Sequence, residues 1–193
     1  YAWELTIENN LVYLADRWGG LRIIDVSNPA QPVDIGGIAT PDEALDVVVQ
    51  GSFAYIATYT YGLRIVDISN PAQPFDVGSI DLERSYGLKI FGSTVFVADG
   101  GAGLRIIDVS NPSLPRLIRT IDTDGWARSV WINGSIVYLA DWTTGLKVLD
   151  LNQPNQAALV GRYDSPDMAR DVVTMNDVIY LADYLGGLRI LMP

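Results

Sequence analysis

A ten-residue motif recurs along this chain at an almost constant interval. It reads GLRIIDVSNP at residues 20–29 and returns as GLRIVDISNP at 62–71 and GLRIIDVSNP at 103–112. A looser copy, GLKVLDLNQP, spans 145–154, and a truncated one, GLRILMP, spans 187–193. The leucines of the five copies are 42, 41, 42 and 42 residues apart. A fixed period of this size is typical of repeat architectures, in which each copy builds one structural unit.

Each of the first four repeats contains four segments of strand length, which we label a, b, c and d; the fifth has only a, b and c. In the second copy they are residues 44–50, 53–58, 63–69 and 75–81. Val, Ile, Tyr and Phe fill these segments, and turn-forming residues separate them. None shows the 3.6-residue apolar spacing of a helix. The pattern therefore predicts a small antiparallel sheet from each repeat and essentially no helix.

The five repeats account for the whole chain as one domain, residues 1–193. Their approximate limits are 1–40, 41–81, 82–122, 123–164 and 165–193. Four-stranded sheets stacked side by side at this period are the blades of a β-propeller. We predict an all-β, five-bladed β-propeller of 19 strands, in which the last blade lacks its outer strand. Either that strand is absent, or the chain is cut from a longer one, or a partner supplies the strand.

The repeats also carry a family signature. Position b contains Tyr-x-Ala-Asp at residues 13–16, 138–141 and 180–183, and position c contains the Gly-Leu-Arg-Ile-Ile-Asp-Val-Ser-Asn-Pro motif. With these elements the chain resembles the LVIVD repeat family. The resemblance implies a β-propeller that is secreted or displayed on the surface of a bacterial or archaeal cell. It implies no particular activity, because a fold does not specify a function.

Composition excludes several classes of function. The chain has no cysteine and no histidine, and so lacks thiolate and imidazole metal ligands and the commonest general base. Its 13 basic and 23 acidic residues give a net charge of −10, which argues against a nucleic-acid partner. No apolar run is long enough for direct membrane insertion. The chain begins with Tyr1 rather than Met, and we interpret it as a processed or excised piece.

A repeated carboxylate offers the one plausible metal site. Asp16, Asp99, Asp141 and Asp183 end position b in four of the five repeats. A ring of carboxylates would suit Ca²⁺, which takes oxygen ligands. The alternative is that each Asp accepts N–H groups of its own loop and pairs with the basic residue that follows. We favour this structural role and expect no cofactor, with Ca²⁺ as the alternative.

The loops at one end of the repeats differ between copies and are rich in aromatic residues. In an up-and-down sheet the b–c and d–a connections lie at the same end. The candidate ligand-binding residues there are Trp18, Tyr59, Tyr61, Tyr86, Trp126, Trp142 and Tyr184. Aromatic side chains on the loops of a rigid scaffold are typical of recognition surfaces for carbohydrate or protein. The alternative is that these rings only cover the core between blades.

The start of position a is where a propeller admits side chains to its central channel. The channel-entrance candidates are Trp3, Glu4, Asp46, Arg128, Arg170 and Asp171. Paired carboxylates at such a place would suit glycoside hydrolysis. We expect the two arginines to pair with the acids and keep them ionised, which disfavours a general acid.

We therefore predict a non-catalytic binding or scaffold module without a catalytic or metal site. One alternative is a glycan-active enzyme that uses the channel carboxylates. Another is a structural unit that self-assembles through the incomplete fifth blade.

Overall fold

Five antiparallel sheets follow one another along the chain. The computed structural model describes residues 1–152 and 158–192. Pro154 and Pro193, the last residues of the fourth and fifth motif copies, lie outside these ranges. Each sheet is built from consecutive strands in sequence order, so each follows an up-and-down path.

The strands alternate in direction within every sheet. Sheet 1 contains β1 (Glu4–Glu8), β2 (Leu11–Ala15), β3 (Leu21–Asp25) and β4 (Val33–Ile38). Sheet 2 contains β5 (Ala44–Gln50), β6 (Phe53–Thr58), β7 (Gly62–Asp67) and β8 (Phe75–Ile80). Sheet 3 contains β9 (Gly87–Phe91), β10 (Thr94–Ala98), β11 (Leu104–Asp108) and β12 (Arg116–Ile121). Sheet 4 contains β13 (Ser129–Asn133), β14 (Ile136–Ala140), β15 (Leu146–Asp150) and β16 (Ala158–Tyr163). Sheet 5 contains β17 (Asp171–Met175), β18 (Val178–Ala182) and β19 (Leu188–Leu191).

The prediction of an all-β chain is confirmed, with four sheets of four strands and a last sheet of three. The described residues form 19 strands, and their one helical element is a single 3-10 turn at Tyr184–Gly186. No helix in residues 1–152 and 158–192 has both the length and the apolarity needed to cross a bilayer. This succession of antiparallel sheets is consistent with the blades of a β-propeller.

The recurring motif builds the third strand of each sheet. Its glycine takes a positive φ, +73° at Gly20, and an added Cβ there would collide with the carbonyl oxygen of Ile38. Such a conformation favours glycine because other residues meet steric strain in it. At the other end of β3, the Asp25 carboxylate accepts a 2.8 Å hydrogen bond from the Ser27 N–H, which fixes the following turn. The motif therefore encodes both ends of the strand.

Neighbouring sheets bury apolar faces against each other. Between sheets 1 and 2, Leu21 and Ile23 pack in one cluster with Val47 and Ile56. Equivalent buried clusters join sheets 2 and 3, sheets 3 and 4, and sheets 4 and 5. The double apolar runs of the sequence follow from this arrangement, because each inner sheet is covered on both faces.

Sheets 1 and 5 differ from the inner three. Leu21, Leu63 and Leu104 are fully buried, whereas their counterpart Leu188 in β19 is 62% exposed. In β1, Ile7 is likewise 62% exposed. The described residues form no buried cluster between sheets 5 and 1. The face of sheet 1 that points away from sheet 2, and the face of sheet 5 that points away from sheet 4, are therefore open to solvent.

The variable loops lie at one end of the sheets, as predicted. Isolated β-bridges link the b–c loop of one sheet to the segment that enters the next sheet: Arg17 pairs with Ala44, Gly100 with Ala127, and Trp142 with Ala169. The aromatic loops of successive sheets are therefore held side by side.

Candidate functional site

The first strands of the five sheets, β1, β5, β9, β13 and β17, are the innermost strands, and the residues at their beginnings line one cavity. It has a volume of about 430 Å³. Its walls include all six channel-entrance residues: Trp3, Glu4, Asp46, Arg128, Arg170 and Asp171. The repeat brings them together because each occupies the first or second place of position a in its own sheet. A central opening with mixed charge is the result.

The carboxylates of this cavity are engaged with the scaffold. Asp46 accepts two hydrogen bonds of 2.7 Å. One comes from the N–H of Val47, the next residue, and the other from the N–H of Leu88 in the next sheet. Asp171 accepts from the Val172 N–H at 2.8 Å and from the Ser129 hydroxyl of sheet 4 at 2.6 Å. Both acids therefore tie the innermost strands of adjacent sheets together.

Burial controls the protonation of Asp46. Removal from solvent raises the pKa of its carboxyl to about 6, although the charge of Lys89 and the N–H groups of Leu88 and Val47 oppose the rise. The nearby Glu4 carboxylate adds a smaller upward contribution. Asp46 thus titrates close to neutral pH, as a proton-transferring carboxyl does.

The expected pairing of Arg128 and Arg170 with the acids is wrong. No ion pair joins either guanidinium to a carboxylate of the described residues. Arg128 lies 4.0 Å from the ring centre of Tyr86 and 4.7 Å from that of Trp142. Arg170 lies 4.2 Å from the ring of Tyr184 and 5.8 Å from that of Trp142. The guanidiniums make cation–π contacts with the loop rings in place of the expected salt bridges. Asp46 and Asp171 are instead held by backbone N–H groups and the Ser129 hydroxyl.

Five of the seven aromatic loop candidates join these arginines in one continuous group. We call it the mouth cluster: Tyr59, Arg84, Tyr86, Trp126, Arg128, Trp142, Arg170 and Tyr184. The rings of Tyr59 and Tyr86 are 5.5 Å apart, and those of Tyr86 and Trp126 are 6.4 Å apart. Arg84 lies 5.3 Å from Trp126 and 5.8 Å from Tyr59. The cluster draws on sheets 2 to 5.

Two more cavities open beside the central one. One, of about 570 Å³, is lined by Arg84, Tyr86, Trp126 and Trp142 among others, and another, of about 280 Å³, includes Trp3 and Tyr59. Tyr86 borders all three cavities. The three cavities are therefore neighbours at the mouth, with Tyr86 in the wall of each.

Trp18 and Tyr61 do not take part in this group. The Trp18 side chain is 70% exposed, and Tyr61 is also exposed. Neither lines any of the three cavities. The two residues share the aromatic loops of sheets 1 and 2 with their neighbours, but their side chains stand apart from the mouth cluster.

Sequence reasoning missed Arg84, which joins Tyr59 and Trp126. It also missed Arg17, whose Nε donates to the Glu43 carboxylate at 2.9 Å and whose guanidinium lies 5.3 Å from the ring of Trp3. The available signal was the run of basic and aromatic residues within the same variable loops.

The repeated Asp residues act as loop anchors. Buried Asp99 accepts the Arg84 N–H at 2.8 Å, the Glu83 N–H at 3.2 Å and the Arg105 Nε at 3.0 Å. Asp183 has the equivalent contact with Arg189, at 3.4 Å. The predicted pairing with the following basic residue is confirmed at these positions, whereas the prediction that the N–H donors belong to the same b–c loop is wrong: they belong to the d–a connection.

Asp141 departs from this pattern. It accepts the hydroxyls of Thr123 and Thr144 at 2.9 and 2.5 Å. Burial raises the pKa of its carboxyl. Across the described part of the chain, no three acidic side chains gather in a way that could hold a metal ion.

Comparison with known proteins identifies the repeat. The LVIVD repeat pattern matches residues 1–40, 42–81, 85–123 and 124–165. No curated protein is significantly similar to the chain. Among solved structures, the computationally designed Ika8 protein is similar over 100% of this chain and 71% of its own, with a TM-score of 0.70 and 8% identity. The computationally designed Ika4 protein is similar over 78% of this chain and 91% of its own, with a TM-score of 0.60 and 15% identity.

These structural similarities concern the fold alone, because the identities are low. The sequence pattern covers most of the chain and coincides with sheets 1 to 4. The chain therefore belongs to the LVIVD repeat family.

Proposed function

We propose that this chain is a non-catalytic binding module that contacts carbohydrate or protein through the mouth cluster. Its five sheets would serve as the blades of one propeller and hold the cluster at one end. One observation carries the proposal: rings from sheets 2 to 5 lie in a single contact network beside two cavities that share Tyr86. Rigid aromatic side chains supply large contact area at a small entropic cost.

The accompanying cellular assignments rest on the family resemblance and on charge. We propose a secreted or cell-surface location, with protein or carbohydrate as partner and without a cofactor. The net charge of −10 disfavours nucleic acid as a ligand. Calcium binding at the repeated Asp residues is the alternative for the cofactor assignment.

A binding screen tests the proposal. Immobilised glycans and candidate surface proteins are probed with the native chain and with the Trp126→Ala/Trp142→Ala variant. We expect the variant to lose about tenfold or more in affinity, because the removed rings border the cavities. Phe91→Ala is the control, since Phe91 is an exposed aromatic at the other end of the sheets. Equal binding by the native chain and the double variant would contradict the proposed site.

A glycan-active enzyme is the second candidate. The pKa of Asp46 near 6 favours it, since a general acid must retain its proton near working pH. The scaffold contacts of both Asp46 oxygens support the non-catalytic assignment instead. Hydrolysis of a glycan panel decides between them: activity that disappears in both Asp46→Asn and Asp171→Asn establishes the enzyme, and no turnover by the native chain removes it.

A further inference from the structure

Three arginines of the mouth cluster have no carboxylate partner among the described residues. Arg17, Arg22, Arg64, Arg105 and Arg189 each form an ion pair with Asp or Glu. No such pair involves Arg84, Arg128 or Arg170. Within residues 1–152 and 158–192, these guanidiniums lack an ion-pair partner although Glu4, Asp46 and Asp171 line the same central cavity as Arg128 and Arg170.

Two of these guanidiniums lie against the same indole ring. Arg128 and Arg170 both contact the ring of Trp142, at 4.7 and 5.8 Å. Each also has a second ring of its own, Tyr86 for Arg128 and Tyr184 for Arg170. A guanidinium stacked on rings keeps its N–H edge available for a planar, bidentate anion.

Arg128 is partly desolvated and experiences the positive charge of Arg170. Burial is the main cause that lowers the pKa of Arg128, and the charge of Arg170 lowers it further. Two like charges in a partly desolvated site repel each other, and a bound anion replaces that repulsion with attraction.

The surrounding surface favours a sugar over a simple anion or a broad protein surface. The central cavity of about 430 Å³ and the adjacent one of about 570 Å³ fit a small ligand, whereas a stable protein interface is larger and flatter. Trp126 and Trp142 offer rings to the apolar face of a sugar. Glu4 and Asp171, on the wall of the central cavity, can accept hydrogen bonds from hydroxyl groups.

We propose that the mouth cluster binds an acidic glycan by its uronate residues, whose carboxylates lie against Arg128 or Arg170. This deepens the proposed function, on which it rests, by naming the class of ligand. The arginines recognise the carboxylate, the rings contact the sugar face, and the channel acids accept hydroxyl groups.

The test compares acidic and neutral oligosaccharides of the same length. Trisaccharides of galacturonate, glucuronate and mannuronate are titrated calorimetrically beside galactotriose, a neutral sugar. The variants are Arg128→Gln and Arg170→Gln. The control is Arg162→Gln, which removes the same charge from an exposed arginine on outer strand β16.

We expect the native chain to bind at least one uronate trisaccharide more tightly than galactotriose. The control variant should bind that uronate as tightly as the native chain does. Each cluster variant should lose about tenfold or more, because hydrogen bonds between charged groups are strong. Arg128→Lys should restore only part of the affinity, since lysine keeps the charge but lacks the planar fork. Thermal denaturation of each variant checks that it remains folded.

Failure of the inference differs from failure of the proposed function. If none of the uronates binds, or if the arginine variants bind them as the native chain does, the inference is overturned. The binding module still stands if Trp126→Ala/Trp142→Ala weakens binding of a neutral glycan or a protein. Both ideas fail if Trp126→Ala/Trp142→Ala binds every ligand of the native chain as tightly as the native chain does.

Discussion

At the scale of single residues, Asp46 makes the stability of the fold depend on pH. Its pKa of about 6 in the folded chain exceeds the value of about 3.9 expected in the unfolded chain. The folded state therefore binds the proton more tightly between these pH values. The contribution of Asp46 to stability is fully present below about pH 4 and is lost as pH rises through about 6. A pKa difference of about two corresponds to about 3 kcal/mol.

Asp46→Asn should remove this dependence. We expect the free energy of unfolding of the native chain, relative to that of the variant, to fall by up to about 3 kcal/mol between pH 4 and pH 7.5. Urea denaturation at a series of pH values measures it. The control is Asp108→Asn, because the Ser110 N–H lowers the pKa of Asp108 and confines its effect to acidic pH. Parallel curves for the native chain and Asp46→Asn would contradict the prediction.

Asp99 is the residue that joins stability to the mouth cluster. It is fully buried and accepts both the Arg84 N–H and the Arg105 guanidinium. Asp99→Asn removes the negative charge and replaces one acceptor oxygen with an NH2 donor. We therefore expect a loss of about 2–3 kcal/mol in the free energy of unfolding. Chemical denaturation measures the loss. The control is Asp67→Asn, which changes an exposed turn and should lower the free energy of unfolding clearly less. Equal losses in the two variants would show that the burial of Asp99 does not matter for stability.

At the scale of elements, glycines on the fourth strands set how closely adjacent sheets approach. A Cβ added to Gly78 in β8 would collide with the carbonyl oxygen of Pro112, in the c–d turn of the next sheet. At Gly161 in β16 the nearest atom of residues 1–152 and 158–192 is the Val148 Cβ, at an ordinary 3.5 Å. Among these residues the same repeat position is therefore crowded in sheet 2 and uncrowded in sheet 4.

Gly78→Ala and Gly161→Ala form a matched pair. We expect Gly78→Ala to lower the free energy of unfolding by about 1–3 kcal/mol, because a backbone carbonyl cannot move as a side chain can. Gly161→Ala should change it by about 0.5 kcal/mol or less. Thermal unfolding of both variants tests this, and a loss of similar size at both positions would refute the role of sheet approach.

Strand order and loop placement could be predicted from the sequence, because both follow from local patterns. Alternation of β-branched segments with turn residues fixes the strands, and antiparallel order then fixes which loops share an end. The partners of Arg128 and Arg170 could not be predicted. They depend on whether Asp46 and Asp171 are already satisfied by N–H groups such as that of Leu88, which belongs to a different sheet. Side-chain choices of this kind require the distance between sheets, which the sequence does not state.

At the scale of the whole molecule, the two end sheets expose the faces that the inner sheets bury. Leu188 and Ile190 in sheet 5 are the counterparts of Leu21 and Ile23, which pack against sheet 2. In β1, Ile7 is exposed. It lies on the face that, in each inner sheet, packs against the sheet before it in the chain. The repeat makes these two open faces complementary, since the same interface already occurs four times within the chain. Exposed apolar surface of this kind favours association.

We therefore expect sheet 5 of one copy to dock on sheet 1 of a second copy, head to tail. Such an interface is heterologous, so association should continue beyond a dimer as concentration rises. Sedimentation velocity across a concentration series measures it. Ile190→Lys should abolish the concentration dependence, because it places a charge in the apolar interface. Ile118→Lys, at an equally exposed isoleucine on outer strand β12, should not. A native chain that stays monomeric throughout, or equal effects of the two lysines, would contradict the prediction that the open faces join copies.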